Sequence, residues 1–136
     1  MDKDKLMYVG QKAFIDRNGE ILVLMDPKIG LDFPGGKIQE GETSLNDSLK
    51  REVREETNLE IKIGDAFATW SFEFPPDHRN KGAVFLVGYK CTYISGEVEL
   101  SDEHNNFRWV TKDTYHDLDD RSEYFQALDK YFDLET

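Results

Sequence analysis

Between Ser44 and Asn58 the chain carries the pattern that most narrows what it can fold into. Leu45, Leu49 and Val53 recur every four residues, which sets them in one stripe along an α-helix. Ser44 precedes the stripe as an N-cap, with Asp47 three residues on, the spacing of a capping box. Asn58 follows as a stop, because asparagine tolerates the left-handed conformation that ends many helices. The spacing predicts a helix over residues 45–57. At 3.6 residues per turn, Glu52, Glu55 and Glu56 gather about 65° to one side of the stripe's centre, with Glu56 near the stripe itself. Lys50 and Arg54 lie on the other side. A solvated face would set its charges opposite the apolar stripe, whereas here three carboxylates crowd the edge of the core. Like charges at helical neighbour spacing repel, and a hard divalent cation relieves that repulsion while leaving room for water and phosphate. A salt-bridged surface helix is the plainer reading, since Arg51 and Glu55 stand four apart.

The segment before the helix adds weight to the metal reading. Gly35-Gly36 lets backbone approach closely, and a glycine carbonyl can ligate a cation. The turn Gln39-Glu40-Gly41-Glu42 brings further acids to the helix start. No Gly-Lys-Ser/Thr follows the glycines, so this is not a P-loop. The formal net charge of −11 repels nucleic-acid backbones and acidic membranes, so no nucleic-acid polymer and no membrane is expected as partner. A small anion held through a cation remains open. The single cysteine, Cys91, excludes an internal disulfide and points to a reducing, cytoplasmic setting with a structural thiol. No signal peptide is visible, and no apolar run approaches the roughly 20 residues that span a bilayer.

One domain is expected across residues 1–136. Strand patterns cover residues 6–15 and 20–25, joined by an Asn18-Gly19 hairpin turn. A short extended piece, 31–33, enters the glycine pair. After the helix come strand-like runs at 59–63, 66–74 and 83–94, with Pro75-Pro76 opening a loop between the last two. Short strands are possible at 97–100 and 107–110. Residues 112–134 read as an acidic helical tail whose Tyr124, Phe125, Leu128 and Phe132 pack against the domain. Strands, one helix, more strands and a terminal helix indicate an α+β or mixed-sheet sandwich.

The stretch Gly36–Leu59, GKIQEGETSLNDSLKREVREETNL, resembles the Nudix box of the Nudix hydrolases. Gly36, Glu42, Arg51, Glu52, Val53, Glu55, Glu56 and Leu59 fill its pattern positions, and Phe33-Pro34-Gly35 precedes them in the usual way. Two departures stand out. Eight residues rather than seven separate Glu42 from Arg51, which lengthens the turn near Thr43-Ser44 and puts the role of Glu42 in doubt. Asn58 replaces the usual glycine. The resemblance implies an α+β fold, a Nudix-type mixed β-sheet sandwiched between helices with a loop–helix–loop box. It also implies hydrolysis of a diphosphate linkage with magnesium or manganese held by Glu52, Glu55 and Glu56. The carbonyl of Gly35 is a further implied ligand, and Arg51 is expected to orient a box glutamate. Glu103, in Ser101-Asp102-Glu103-His104, is the implied later acid, as extra ligand or general base; Glu52 is the other candidate base.

The substrate is expected to be a small nucleotide. Nucleoside triphosphate pyrophosphohydrolysis of the MutT-like kind leads. The alternatives are ADP-ribose or nucleotide-sugar cleavage, for which Pro75 is the residue of interest, and a non-catalytic nucleotide sensor of the same fold. Lys12, Arg79 and Lys81 are candidate phosphate contacts. Phe14, Trp70 and Phe72 are candidate stacking faces, although core packing is the commoner role of such aromatics. His78, His104 and His116 are candidate bases, each more ordinarily a solvated side chain. Either a monomer or a homodimer fits.

Overall fold

The computed structural model describes residues 3–134; residues 1–2 and 135–136 of the expected domain lie outside it. Among the described residues, seven strands and two helices follow in the order β1 (Met7–Arg17), β2 (Glu20–Asp26), β3 (Gly30–Asp32), β4 (Gly35–Lys37), α1 (Leu45–Thr57), β5 (Glu60–Glu73), β6 (Ala83–Ser95), β7 (Asn106–Val110) and α2 (Glu123–Leu134). β1 and β6 form the parallel centre, paired from Met7↔Ala83 to Asp16↔Thr92, and β5 lies antiparallel on β6. Asn18 and Gly19 both take positive φ, 54° and 88°, which is the hairpin turn that an Asn-Gly pair favours. Asp16 fixes it by accepting the Gly19 N–H at 2.7 Å.

β1 and β2 stay paired only at that turn, at Asp16↔Ile21 and Arg17↔Glu20. Beyond it they part. β4 takes the freed edge of β1, from Gly10↔Lys37 to Lys12↔Gly35, while β2 pairs with β3 and β7. This divergence sets the glycine pair of β4 beside Lys12 of β1.

Two cores lie on opposite faces of the sheet. Ala13, Ile15, Leu22 and Leu24 join Leu49 and Val53 of α1; Phe14, Ile21 and Val23 join Leu128, Tyr131 and Phe132 of α2. Alternate residues of β1 and β2 therefore serve opposite helices, and the sheet is sandwiched as the sequence implies. Cys91 is buried in the α1 core, where loss of hydration pushes its thiol up to about 12, an inert structural group.

The helix expected over 45–57 forms with both ends as read. Ser44 Oγ accepts the Asp47 N–H, and Asn58 stops the helix at φ 65°. Leu45 departs from its expected place in the core stripe: it is 45% exposed, one turn too early to reach the sheet. The runs at 59–63 and 66–74 are one strand, β5, with register shifts around Ala66 that interrupt the alternation. Residues 97–100 are not a strand, because Glu99 and Ser101 spend their N–H groups on the carbonyls of Thr57 and Glu56. The tail divides into a 3-10 turn, Tyr115–Leu118, and α2. Asp119 breaks it at φ 48°, and the Asp120 carboxylate pins the break by accepting from the Leu31 and Ser122 N–H groups. Among the described residues no helix is long and apolar enough to cross a membrane.

Candidate active site

The site grows from the junction of β4 with α1. Gly35 sits at φ 142° so close to β1 that a Cβ there would lie 1.9 Å from the Gln11 carbonyl oxygen. Only glycine fits. Its N–H donates to Glu56 Oε1 at 3.1 Å, which ties the loop to the helix. Gly36 faces the carboxylate of Glu52, whose atoms stand 2.9 to 3.2 Å from where a Cβ would be.

Arg51 is the hub on the solvent side. It donates to both oxygens of Glu55 at 3.0 and 3.1 Å, to Glu42 Oε2 at 3.0 Å and to Glu52 Oε1 at 3.1 Å. Glu42 also accepts from Ser48 Oγ and from the Gln39 N–H. These donors hold its carboxyl down at about 2. The extra residue between Glu42 and Arg51 therefore leaves their contact intact: it is taken up in the turn ahead of α1, and Glu42 ties that turn to the helix.

Beneath this rim lies a buried charged cluster. Lys12, Asp32, Glu56 and His104 are all at most 8% exposed. Lys12 Nζ meets Asp32 Oδ1 at 3.0 Å, His104 Nε2 meets Asp32 Oδ2 at 2.9 Å, and the Phe33 N–H donates to Asp32 Oδ1 at 2.8 Å. Burial alone would raise the Asp32 pKa, but the Lys12 ammonium and these donors outweigh it and hold the carboxyl below its usual range. Burial likewise opposes charge on Lys12 and His104, and Asp32 reverses the effect, so both titrate above their usual values. Glu56 has less compensation. Burial pushes it up to about 7 against the pull of Lys12 and the Gly35 N–H. Glu52 is also raised, by partial burial first and by Glu55 and Glu103 besides, against the pull of Arg51.

These residues fit a divalent cation. Among the described residues, Glu56 Oε2 and His104 Nδ1 are buried without a hydrogen-bond partner, which is costly unless another group satisfies them. One ligand atom each from Glu56, Glu103 and His104 lie within 4.8 Å of one another. Glu52 and Glu103 line the same cleft, of about 400 Å³, together with Lys12, Asp32, Gly35, Gly36 and Lys37. Phe72, Phe74, Val84, Leu86 and Tyr124 complete the lining. A cleft with both charged and aromatic residues in its lining suits a ligand with a charged end and a flat end.

The expected site residues thus divide. Arg51, Glu52, Glu103, Gly35, Lys12 and Phe72 line the cleft, and Glu56 is buried against it. Glu55 points outward, its side chain 59% exposed and paired with Arg51. Phe14 is fully buried and stacked on Phe33 at 4.0 Å between ring centroids, so the base-stacking role expected of it is corrected to core packing. Trp70 packs edge-on to Tyr124 and Phe14 in the same core. Arg79 and Lys81 do not line the cleft; they sit on the exposed 75–82 loop, where Lys81 Nζ donates to the Pro76 carbonyl. His78 stacks on Phe74 and His116 on Tyr115. Asp32 is not among the expected residues, and its only sequence signal is an acid between two buried apolar residues, Leu31 and Phe33.

Comparison with known proteins gives consistent matches. The NUDIX domain family matches residues 11–131. The chain is 36% identical over 75 residues to the NAD-capped RNA hydrolase NudC of Actinobacillus succinogenes, covering 54% of this chain and 25% of that protein. It is 28% identical over 95 residues to the nucleoside triphosphatase NudI of an Enterobacter species, covering 62% and 64%. The matches therefore span a quarter of one curated relative and just under two thirds of the other. A solved MutT protein from Methanosarcina mazei Go1 superposes with TM-score 0.76 at 29% identity, over 98% of both chains.

Proposed function

Because the chain belongs to the NUDIX domain family, we propose that it hydrolyses a diphosphate linkage in a nucleoside diphosphate derivative, with nucleoside triphosphates as the preferred class. The observation that carries this reading is the cleft whose lining joins Glu52, Glu103, Gly35 and Lys12 with Phe72, Phe74 and Tyr124. A polyphosphate suits the charged residues and a base the aromatic ones.

Glu52, Glu56 and Glu103, with the carbonyl of Gly35, would hold magnesium or manganese. When bound, such an ion neutralises phosphate charge and acidifies a coordinated water. The chain's own groups do the rest. Lys12, kept charged by Asp32, sets a fixed positive charge at the cleft floor for phosphate oxygens. Arg51 holds Glu52 and Glu42 in place and leaves Glu55 at the solvent edge. Glu52, which lines the cleft, is the proposed acceptor of the attacking water's proton. Phe72, Phe74 and Tyr124 exclude water and offer aromatic faces to the base.

Two observations favour triphosphates over the alternatives. Pro75 lies outside the cleft lining and shapes the 75–82 loop, its carbonyl accepting the His78 N–H at 3.0 Å, so its loop role is accounted for without ADP-ribose. The net charge of −11 opposes a capped RNA polymer. A panel of nucleoside triphosphates, ADP-ribose, nucleotide sugars and dinucleoside polyphosphates, assayed for products with magnesium, tests the reading. Monophosphate plus pyrophosphate from a triphosphate is the expected result. Turnover confined to ADP-ribose or sugar nucleotides overturns the substrate class, and tight binding without turnover overturns the reaction.

A further inference from the structure

We infer that His104 is a nitrogen ligand of the cation site, so that the site presents mixed oxygen and nitrogen donors rather than oxygen alone. This inference rests on the metal site proposed above and goes beyond it in naming a donor that the glutamate-rich helix does not supply.

The geometry of the imidazole carries it. His104 is 7% exposed, and its Nε2 is 2.9 Å from Asp32 Oδ2. Asp32 is an acceptor here, since Lys12 Nζ lies 3.0 Å from its other oxygen and the Phe33 N–H donates to it. Nε2 therefore donates to Asp32, and the neutral ring keeps its lone pair on Nδ1. Nδ1 is buried with no hydrogen-bond partner among the described residues, and so is Glu56 Oε2. The ligand atoms of His104, Glu56 and Glu103 fall within 4.8 Å of one another. Either orphan can carry a proton in the metal-free protein, but once both are deprotonated none of the ligand atoms of Glu56, Glu103 and His104 donates. A cation satisfies all three. A histidine that ligates through one nitrogen while giving its other N–H to a carboxylate is the usual arrangement around protein-bound metals, the carboxylate fixing the tautomer and ring orientation.

The backbone holds this ring independently of α1's side chains. The Ser101 N–H donates to the Glu56 carbonyl at 3.2 Å, and the Asn105 N–H donates to the Met25 carbonyl at 3.2 Å. The loop carrying Glu103 and His104 is thus pinned at one end to the helix that bears Glu56 and at the other to β2. One imidazole among carboxylates tilts preference away from magnesium and toward manganese and cobalt.

Pulsed electron paramagnetic resonance of the full chain loaded with Mn²⁺ tests this directly. Nitrogen-14 modulation from a directly bound imidazole is expected, replaced by a nitrogen-15 pattern when histidine alone is isotope-labelled. His104→Gln is expected to abolish it and to lower the ratio of Co²⁺ to Mg²⁺ affinity about tenfold. The wild-type spectrum is decisive even if that variant folds poorly. Bound Mn²⁺ without nitrogen modulation overturns the inference and leaves the metal site standing. Failure to bind Mn²⁺ at all overturns both. Modulation that persists in folded His104→Gln assigns the nitrogen elsewhere and also overturns it.

Discussion

Alanine at Gly35 and alanine at Gly36 should fail in different ways, although the residues are neighbours. At Gly35 a methyl group would lie 1.9 Å from the Gln11 carbonyl oxygen and 3.0 Å from the Lys12 Cα, both backbone atoms. Relief requires β4 to retreat from β1 by roughly 1 Å, which a close-packed interior resists. That retreat strains the Lys12↔Gly35 rung and the Gly35 N–H bond to Glu56. Each hydrogen bond contributes about 1 kcal/mol. Holding a non-glycine residue at φ 142° costs a further 1 to 3 kcal/mol or so. The sum is about 3 to 5 kcal/mol, a drop in melting temperature on the order of 10 to 20 °C for a chain of this size. At Gly36 the three atoms nearest the methyl all belong to the Glu52 carboxylate, 2.9 to 3.2 Å away, and a side chain can swing aside. Gly36→Ala should unfold within about 1 kcal/mol of wild type yet lose about 100-fold in turnover, the scale of a 1 Å misplacement in an active site. Urea unfolding and steady-state turnover on both variants check this. A stable Gly35→Ala, or a Gly36→Ala with wild-type turnover, refutes the reasoning.

Lys12→Met leaves Asp32 buried without its ammonium partner and should cost about 3 to 5 kcal/mol in urea unfolding; a loss under about 1 kcal/mol contradicts the buried pair. Glu56→Gln should stabilise the metal-free protein in a pH-dependent way. The folded carboxyl titrates at about 7 rather than 4.5, so between those values the folded state binds more protons and wild-type stability falls as pH rises. The variant escapes that loss and should gain about 3 kcal/mol over wild type by pH 8 in chelator, with no gain near pH 4; a pH-independent difference rejects this. Asn58→Ala should destabilise by about 1 to 2 kcal/mol, because alanine resists the φ of 65° that ends α1, while Asn58→Gly should match wild type. Thermal unfolding of the pair separates conformational cost from side-chain contacts.

The helix is legible to the residue at both ends because caps are local chemistry, read from Ser44 and Asn58 without the rest of the chain. Its wheel also holds the order of exposure. Glu56, nearest the apolar stripe, is buried; Glu52 is half-buried; Glu55, farthest round, is exposed. Other features depend on distant partners. Phe14 looks available as a stacking face, but β1 is covered by a helix on each side, so its inward and outward residues are both buried. Asp32 gains its role only from Lys12 twenty residues before it and His104 seventy-two after it. The segment 97–100 alternates like a strand, yet its N–H groups cap the carbonyl end of α1, a competition that no local pattern records. Register shifts in β5 make one long strand read as two.

On the proposed reading, the α1 carboxylates at the cleft support diphosphate hydrolysis with a divalent cation. Turnover of Glu52→Gln and Glu56→Gln at saturating magnesium tests it most directly. Both changes keep side-chain shape, and the amide oxygen introduced by Glu56→Gln can still accept the Gly35 N–H. Each variant should fall at least about 100-fold below wild type while remaining folded by near-ultraviolet circular dichroism. Folded variants that both turn over at the wild-type rate would contradict the account.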